Sequence, residues 1–275
     1  GNEIAAVNTG FGGGFFGTSY FGTARPDTGN FGEATTWAIG NWGEYLVACS
    51  NTDGKIYEWQ LDVAANAAVI SNAPVNNLSI LVTGERFLFA LGAGGNPRLV
   101  QWSDRENNTL WTAADTNEAG DLELQTAGQI MCGLNVRGQE LILTDQDAHT
   151  ATYQGPPFVY NFERVGQSCG IVSRKAAISV GDGAFWMGQE SFFSYSGGAV
   201  QELTCEVADY VFGDINRSQA SLVHAVSMAQ HGEIWWFYPS GASNECDRYV
   251  SFDYKEGHWT FGEIDRTCGV ARGVF

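Results

Sequence analysis

Two carboxylates and a histidine stand close together in the segment TDQDAH (Thr144 to His149). Asp145, Asp147 and His149 are residue types that bind metal ions, and they are spaced as in a metal-binding turn. The segment lacks, however, the glycine and the distal glutamate of a calcium-binding loop. We therefore interpret it as a hairpin turn and expect no metal site there.

The segment SDRENNTLW (Ser103 to Trp111) is similar at first sight to the S-x-D-x-G-x-x-W turn that is repeated in sialidases. Asp104 directly follows Ser103, however, and no glycine stands at the required place. We interpret the segment as a turn between two strands, with Trp111 packed beneath it.

The other ionisable residues form no catalytic motif. Glycoside hydrolysis requires two carboxylates about 5 to 10 Å apart, but Asp182, Glu190 and Glu233 have the sequence context of solvated turn residues. No histidine adjoins a nucleophile motif such as G-x-S-x-G. The four histidines are His149, His224, His231 and His258. The sequence therefore predicts a protein that is not an enzyme and has no catalytic, metal or cofactor-binding residues.

The cysteines lie far apart in the sequence and include no C-x-x-C pair, so the ligand spacing of a zinc site is absent. They are Cys49, Cys132, Cys169, Cys205, Cys246 and Cys268. No signal peptide is recognisable, and we expect reduced, buried thiols, although an even number also allows disulfides.

The nine tryptophans suggest two roles, because aromatic rings both fill cores and stack on sugars. Six fall inside apolar repeats and are predicted to be core residues: Trp42, Trp59, Trp102, Trp186, Trp235 and Trp236. We expect Trp37, Trp111 and Trp259 to be partly exposed, and they would be the platforms if the protein bound glycans.

The charge of the chain argues against nucleic-acid recognition. Thirty-one acidic residues against 14 basic ones give a net charge of −17, and the basic residues are scattered. Such a surface repels phosphate backbones but lets DNA pass nearby without adhering. No continuous apolar stretch approaches the length of about 20 residues that a membrane span needs, so no membrane span is expected.

These residues must be positioned by a repeated β-hairpin, which occurs five times in the chain. Each copy has a glycine, an apolar run, a turn and a second short strand that ends on an aromatic residue. The copies are Asn41 to Trp59, Val82 to Trp102, Val136 to Tyr153, Val180 to Tyr195 and Gln230 to Tyr254. Their leading glycines, predicted to occupy equivalent turns, are Gly43, Gly84, Gly138, Gly183 and Gly232.

The hairpins predict an all-β protein, a β-propeller of four-stranded antiparallel blades. The repeat interval leaves room for one strand before and one after each hairpin, and HWTFGEI (His258 to Ile264) is the outer strand of the fifth copy. Both faces of the hairpins are apolar, as radial stacking of blades requires. A two-sheet sandwich is the alternative. The segment Glu202 to Asn216 predicts a short helix or 3₁₀ turn between two blades.

The segment before the first blade, GFGGGFFGTSYFGTARP (Gly10 to Pro26), consists mainly of glycine and aromatic residues. It has neither a helix nor a strand period, yet its rings are costly to leave in water. We assign residues 1–34 to an N-terminal arm and residues 35–275 to the propeller. The predicted inter-subunit contacts are Phe11, Phe15, Phe16, Tyr20 and Phe21. The alternative is that the arm folds back to cap or close its own propeller.

Several longer segments resemble the tail hub or nozzle proteins of short-tailed bacteriophages. They occur in the order of that family and span nearly the whole chain. They are WAIGNWGEYLVAC with KIYEW, LVQWSDRENNTLWTAADTNEAGDLEL, AFWMGQESFFSYSGGAVQELTCEVADYVFGDIN and EIWWFYPS with DRYVSFDYKEGHWTFGEIDRT. The departure is at the C-terminus, where ARGVF (Ala271 to Phe275) begins what looks like a sixth blade and stops.

The resemblance implies a structural virion protein in the phage tail, assembled in the host cytoplasm. Copies would form a homo-oligomer, a hexamer around the tail axis, in contact with the portal adaptor and other tail proteins. They would form part of the conduit for genome ejection, where an acidic lumen would let DNA pass without specific binding. The alternative function is a glycan-binding or glycan-cleaving propeller.

Overall fold

The structure, a computed structural model, describes residues 35–269. In this range the chain forms five antiparallel sheets of four strands, and in every sheet the strands lie in chain order. Each sheet is one blade, numbered here along the chain. The predicted arm (1–34) and the segment 271–275, predicted to begin a sixth blade, lie outside the described residues.

The first three blades occupy the N-terminal part of the described chain. Blade 1 contains β1 (Trp37–Trp42), β2 (Tyr45–Ser50), β3 (Ile56–Trp59) and β4 (Ala68–Val69). Blade 2 contains β5 (Ser79–Val82), β6 (Leu88–Leu91), β7 (Leu99–Trp102) and β8 (Gly120–Glu123). Blade 3 contains β9 (Ile130–Val136), β10 (Gln139–Thr144), β11 (Asp147–Gly155) and β12 (Val159–Gln167).

The last two blades are joined by a short helical linker. Blade 4 contains β13 (Ala177–Val180), β14 (Gly183–Met187), β15 (Phe192–Tyr195) and β16 (Gln201–Leu203). Blade 5 contains β17 (His224–Met228), β18 (Glu233–Tyr238), β19 (Arg248–Asp253) and β20 (Trp259–Glu263). Between them lie α1 (Ala208–Asp214) and a 3₁₀ turn (Arg217–Leu222), which confirms the predicted connector. No helix in the described range is long and apolar enough to span a membrane.

The blades are arranged around a common centre through their first strands. β1 contacts β5, β5 contacts β9, β9 contacts β13, and β13 contacts β17. This radial succession confirms the predicted propeller and rules out the sandwich. Each predicted hairpin is the second and third strand of its blade. Within the described range, no comparable contact joins β17 of blade 5 to β1 of blade 1.

In four blades the leading glycine lies in the turn from the first to the second strand, as predicted, whereas Gly183 is the first residue of β14. Gly43, Gly138 and Gly232 take left-handed φ values of 65°, 73° and 78°. At Gly232 a Cβ would also meet the Lys255 side chain at 2.8 Å. The predicted equivalence fails in blades 2 and 4, where the left-handed residue lies two positions from the glycine, at Arg86 and Gly181.

The core consists of apolar layers between successive blades rather than one central cluster. One layer lies between blades 1 and 2, a second between blades 2 and 3, and the largest extends across blades 3, 4 and 5. Four of the six tryptophans predicted to be core residues are buried: Trp42, Trp102, Trp186 and Trp236. Trp59 and Trp235 are only half-buried, and both lie in the two end blades.

Candidate functional site in the central channel

A cavity of about 480 Å³ lies in the central channel. Its walls come from the first strands of blades 1, 2 and 3, together with Arg174, Lys175 and the first residue of β13. Its polar side chains include Asn41, Thr83 and Asn135. The propeller fold thus gathers residues from four separated parts of the sequence around one pocket.

Arg174 and Lys175 give the channel its charge. They stand immediately before β13, where the backbone is held between blades 4 and 5. The Ala225 N–H donates to the Lys175 carbonyl over 2.8 Å, and the Ser173 hydroxyl donates to the Val223 carbonyl. The surrounding blades desolvate the ammonium group and lower the pKa of Lys175, although much of the side chain stays accessible.

The channel wall also contains a thiol, that of Cys132. Burial raises the pKa of Cys132 to about 12, and the nearby charges of Lys175 and Arg174 offset only part of that effect. The thiol is therefore protonated at neutral pH, and a protonated thiol is a poor nucleophile.

Among the described residues, no aspartate or glutamate lines this cavity. The described lining therefore holds no pair of carboxylates of the kind that glycoside hydrolysis requires. In the described range there is also no group of three or more His, Cys, Asp or Glu residues placed to hold a metal ion. The described part of the channel is thus a small pocket whose charged side chains are Arg174 and Lys175.

The segment TDQDAH, predicted to be a hairpin turn, connects β10 to β11. Asp147 Oδ1 accepts hydrogen bonds from the hydroxyls of Thr126 (2.8 Å) and Thr144 (2.6 Å). His149 Nε2 lies 3.1 Å from the same oxygen without hydrogen-bond alignment, and burial lowers the pKa of His149. Through the bond to Thr126, Asp147 fixes the turn to the loop that precedes β9. This arrangement confirms that the segment is a hairpin turn.

The segment Ser103 to Trp111 is also a turn, and its tryptophan is buried. The Trp111 indole N–H donates to the Asn108 carbonyl over 2.7 Å, and the ring belongs to the layer between blades 1 and 2. The Asn108 amide donates to Glu58 of blade 1 over 2.5 Å. The predicted exposure of Trp111 is therefore wrong, because this loop folds inward against blade 1.

The other predicted sugar platforms have different surroundings. Trp259 is half-buried and packs on Phe192 and Phe252, with ring centroids 4.6 Å away in both cases. Trp37 is 45% exposed and lies 6.2 Å from the Tyr57 ring. Trp37 is thus the one accessible ring of the three.

The remaining carboxylates and histidines are not brought together. Asp182 and Glu190 are exposed at opposite ends of β14, and Glu233 accepts the Trp235 indole N–H over 2.7 Å. His224 stacks on Phe237, and burial lowers the pKa of His224. His231 and His258 are exposed turn residues.

Sequence reasoning missed a buried acid, Glu140 on β10, which is 2% exposed. Its Oε2 has no hydrogen-bond partner, and burial, followed by the charge of Glu85, raises the pKa of Glu140 to about 8. Nearby, the Tyr160 hydroxyl lies 3.1 Å from Thr83 Oγ1 and 3.4 Å from Glu85 Oε2. No lining residue of the channel cavity belongs to this group except Thr83. Glu140 is thus a buried acid whose pKa depends on the packing of blade 3 against the Gly84–Glu85 turn of blade 2.

All six cysteines are free, so the reactivity of their thiols can test how deeply each one is buried. Burial raises the pKa of Cys49, Cys132 and Cys246 to about 12, whereas Cys268 is exposed. We expect one thiol to react rapidly with Ellman's reagent at pH 8 and six to react after denaturation. Cys268→Ser should abolish the rapid phase, and a rapid phase that persists in this variant would contradict the assignment.

The five aromatic residues predicted to contact another subunit lie outside the described residues. They are Phe11, Phe15, Phe16, Tyr20 and Phe21. Their role stays a prediction.

Comparison with known proteins supports the fold and goes no further. No family model and no curated protein matches the chain. Among solved structures, a streptogramin B lyase is similar with a TM-score of 0.56 and 9% identity, over 84% of this chain and 69% of the other. A putative 6-phosphogluconolactonase from Bacteroides uniformis has a TM-score of 0.56 and 12% identity, over 84% and 71%. A catalytically inactive virginiamycin B lyase from Staphylococcus aureus with quinupristin has a TM-score of 0.52 and 8% identity, over 84% and 71%. The shared feature is the β-propeller fold.

Proposed function

We propose that this propeller is a structural subunit of the tail of a short-tailed phage, a hub or nozzle protein that forms part of the conduit for genome ejection. The proposal starts from the ordered motifs that resemble that family along nearly the whole chain. Copies would assemble as a hexamer around the tail axis, in contact with the portal adaptor and other tail proteins. DNA would pass along the assembly, outside the small channel of each propeller.

The observation that supports this role most is that polar side chains which could take part in catalysis are instead engaged in structural hydrogen bonds. Asp147, Glu233 and Asn108 hold turns, indoles and neighbouring blades in place. The channel cavity has no carboxylate in the part of its lining that residues 35–269 provide. A net charge of −17 suits a protein past which DNA must move without adhering.

The test is the composition of purified virions. Quantitative mass spectrometry of DNA-filled particles should find this chain at a fixed copy number, six per particle, and cryo-electron microscopy should place it in the tail. Its absence from particles, or a variable amount, would overturn the proposal.

Single substitutions of carboxylates give a second test of the structural role. Asp182→Ala and Glu190→Ala remove exposed turn residues, so we expect infectivity within about twofold of the parent, since surface changes of this kind usually alter stability little. Infectivity per particle is the measurement, with particle assembly as the control. A loss of ejection in fully assembled particles would indicate catalysis instead.

A glycan-binding propeller is the second candidate, and one observation favours it. Trp37 is exposed beside Tyr57, and paired aromatic rings are suited to stack on sugars. Binding of the isolated chain to a glycan array, lost in Trp37→Ala, would support this function. Hydrolysis of a glycan would support the glycan-cleaving alternative.

A further inference from the structure

Blade 1 has one face that no described blade covers. Its other face packs on blade 2 through Val47, Cys49 and Ile56. The strand registers place nine residues on the uncovered face, which we call the blade 1 flank: Trp37, Ile39, Asn41, Leu46, Ala48, Ser50, Tyr57, Trp59 and Val69. Trp37 is 45% exposed, and Ile39 is 61% exposed.

The chemistry of the blade 1 flank is that of a packed layer rather than of a solvated sheet face. Its nine residues include three aromatic rings and four aliphatic side chains, with Asn41 and Ser50 as polar members and no charged group. The same side of blade 2 is buried against blade 1, where Leu88 and Ala90 have no exposed surface. An exposed apolar patch of this kind marks a contact site.

Both ends of the described chain lie at the gap that this flank borders. Residue 35 is two positions before β1, the strand that carries Trp37 and Ile39. At the other end, Ile264 packs on the small cluster of Val226, Phe237 and Cys246, and Gly269 lies against Val226. The C-terminal segment therefore covers part of the open side of blade 5, while the blade 1 flank stays uncovered.

The segment that leads into this gap has the composition to fill it. Residues 1–34 are as long as the stretch 37–69, which forms the whole of blade 1. They contain aromatic residues that need burial and only four charged residues. The charged residues are Glu3, Arg25, Asp27 and Glu33.

We propose that residues 1–34 pack on the blade 1 flank of their own chain and place their aromatic side chains against Trp37, Ile39 and Trp59. The sequence alone favoured a neighbouring subunit as the partner of these aromatic residues. The uncovered flank two residues from the end of the arm favours the same chain, because a tethered segment reaches it without a second molecule. This inference goes beyond the proposed function and does not depend on it.

The first test is a double-mutant cycle between Ile39→Lys and deletion of residues 1–34. In the full chain the lysine would be placed in a packed layer, and we expect Tm to fall by roughly 5 °C or more. In the truncated chain the same lysine faces water, and we expect Tm to change by less than about 1 °C. Val63→Lys is the matched control, because Val63 is 94% exposed in the loop between β3 and β4 and should be neutral in both chains.

The second test avoids a destabilising charge and identifies the partner. A photo-reactive phenylalanine analogue at position 39 should crosslink to residues 1–34 in the full chain, and the same analogue at position 63 should not. Isotopically heavy and light chains are mixed before irradiation, which distinguishes an arm of the same chain from an arm of a second copy. Crosslinks within one chain are the expected result.

Three results would overturn the proposal. Equal Tm changes for Ile39→Lys and Val63→Lys in the full chain would mean that water covers the flank. Crosslinks that join heavy to light chains would mean that a second copy supplies the arm. Crosslinks from position 39 to segments other than 1–34 would mean that another part of the protein fills the gap.

Discussion

Replacing Glu140 by glutamine is expected to stabilise the protein at neutral and alkaline pH and to leave its stability near pH 4 unchanged. Burial raises the pKa of Glu140 from about 4.5 to about 8, so the folded chain holds this proton more tightly than the unfolded chain. The folded state is therefore favoured below pH 4.5 and loses that advantage as pH rises towards 8. Since glutamine does not ionise, the variant avoids this loss.

The expected size of the effect follows from the two pKa values. The difference corresponds to stabilisation on the order of 3 kcal/mol at pH 7, and to a rise in Tm of roughly 5 °C or more. Thermal unfolding between pH 4 and pH 9 is the measurement. Glu163→Gln, an exposed residue on β12, is the matched control and should have no effect. A gain at pH 4 as large as that at pH 8 would contradict the assigned pKa.

Replacing Trp236 by alanine is expected to be among the most destabilising single changes in the chain. Its side chain is fully buried, its indole N–H donates to the Ala176 carbonyl over 2.9 Å, and its ring lies 5.0 Å from that of Phe192. The substitution opens a cavity between blades 4 and 5 and leaves a buried carbonyl without its donor. Together these effects remove roughly 3 to 5 kcal/mol of stability.

The neighbouring residue in the same strand provides the control for Trp236. Trp235 points to the opposite face of β18, where it is half-buried and stacks on Tyr249 at 4.4 Å. We expect Trp235→Ala to remove about 1 kcal/mol, since the ring gives up less buried area and one aromatic pair. Denaturant unfolding of both variants measures the difference. Equal losses would contradict the register that we assign to blade 5.

The propeller fold was predictable because the sequence signals that indicate it lie close together in the chain. A left-handed turn, an apolar run and a closing aromatic recur five times, and each signal lies within a single hairpin. The connector before blade 5 was visible for the same reason, since Leu203, Val207 and Val211 follow helical spacing. The hairpins and the connector can be predicted without knowing which distant strands contact them.

The features that the sequence did not reveal depend on contacts between blades. Glu140 stands in the run QELILT and looks like an ordinary strand-entry residue, and the turn of blade 2 that buries it lies more than 50 positions earlier. Trp111 is buried because its loop folds against blade 1. Trp59 and Trp235 have core-like sequence contexts but face the gap between blades 5 and 1. Arg174 and Lys175 had one available signal, two adjacent cations in a chain with 14 basic residues.

The chain-order pairing within each sheet has a consequence for how the protein forms during synthesis. Within each of the five described sheets, a strand pairs only with the strands that directly precede or follow it in that sheet. Loop closure within a blade is therefore short, and short closures are rapid. Each blade can thus pair its strands as it leaves the ribosome, but its apolar face is buried only when the next blade packs against it. The blades should therefore become stable in chain order, and the growing chain should expose one apolar blade face until the following blade has been made.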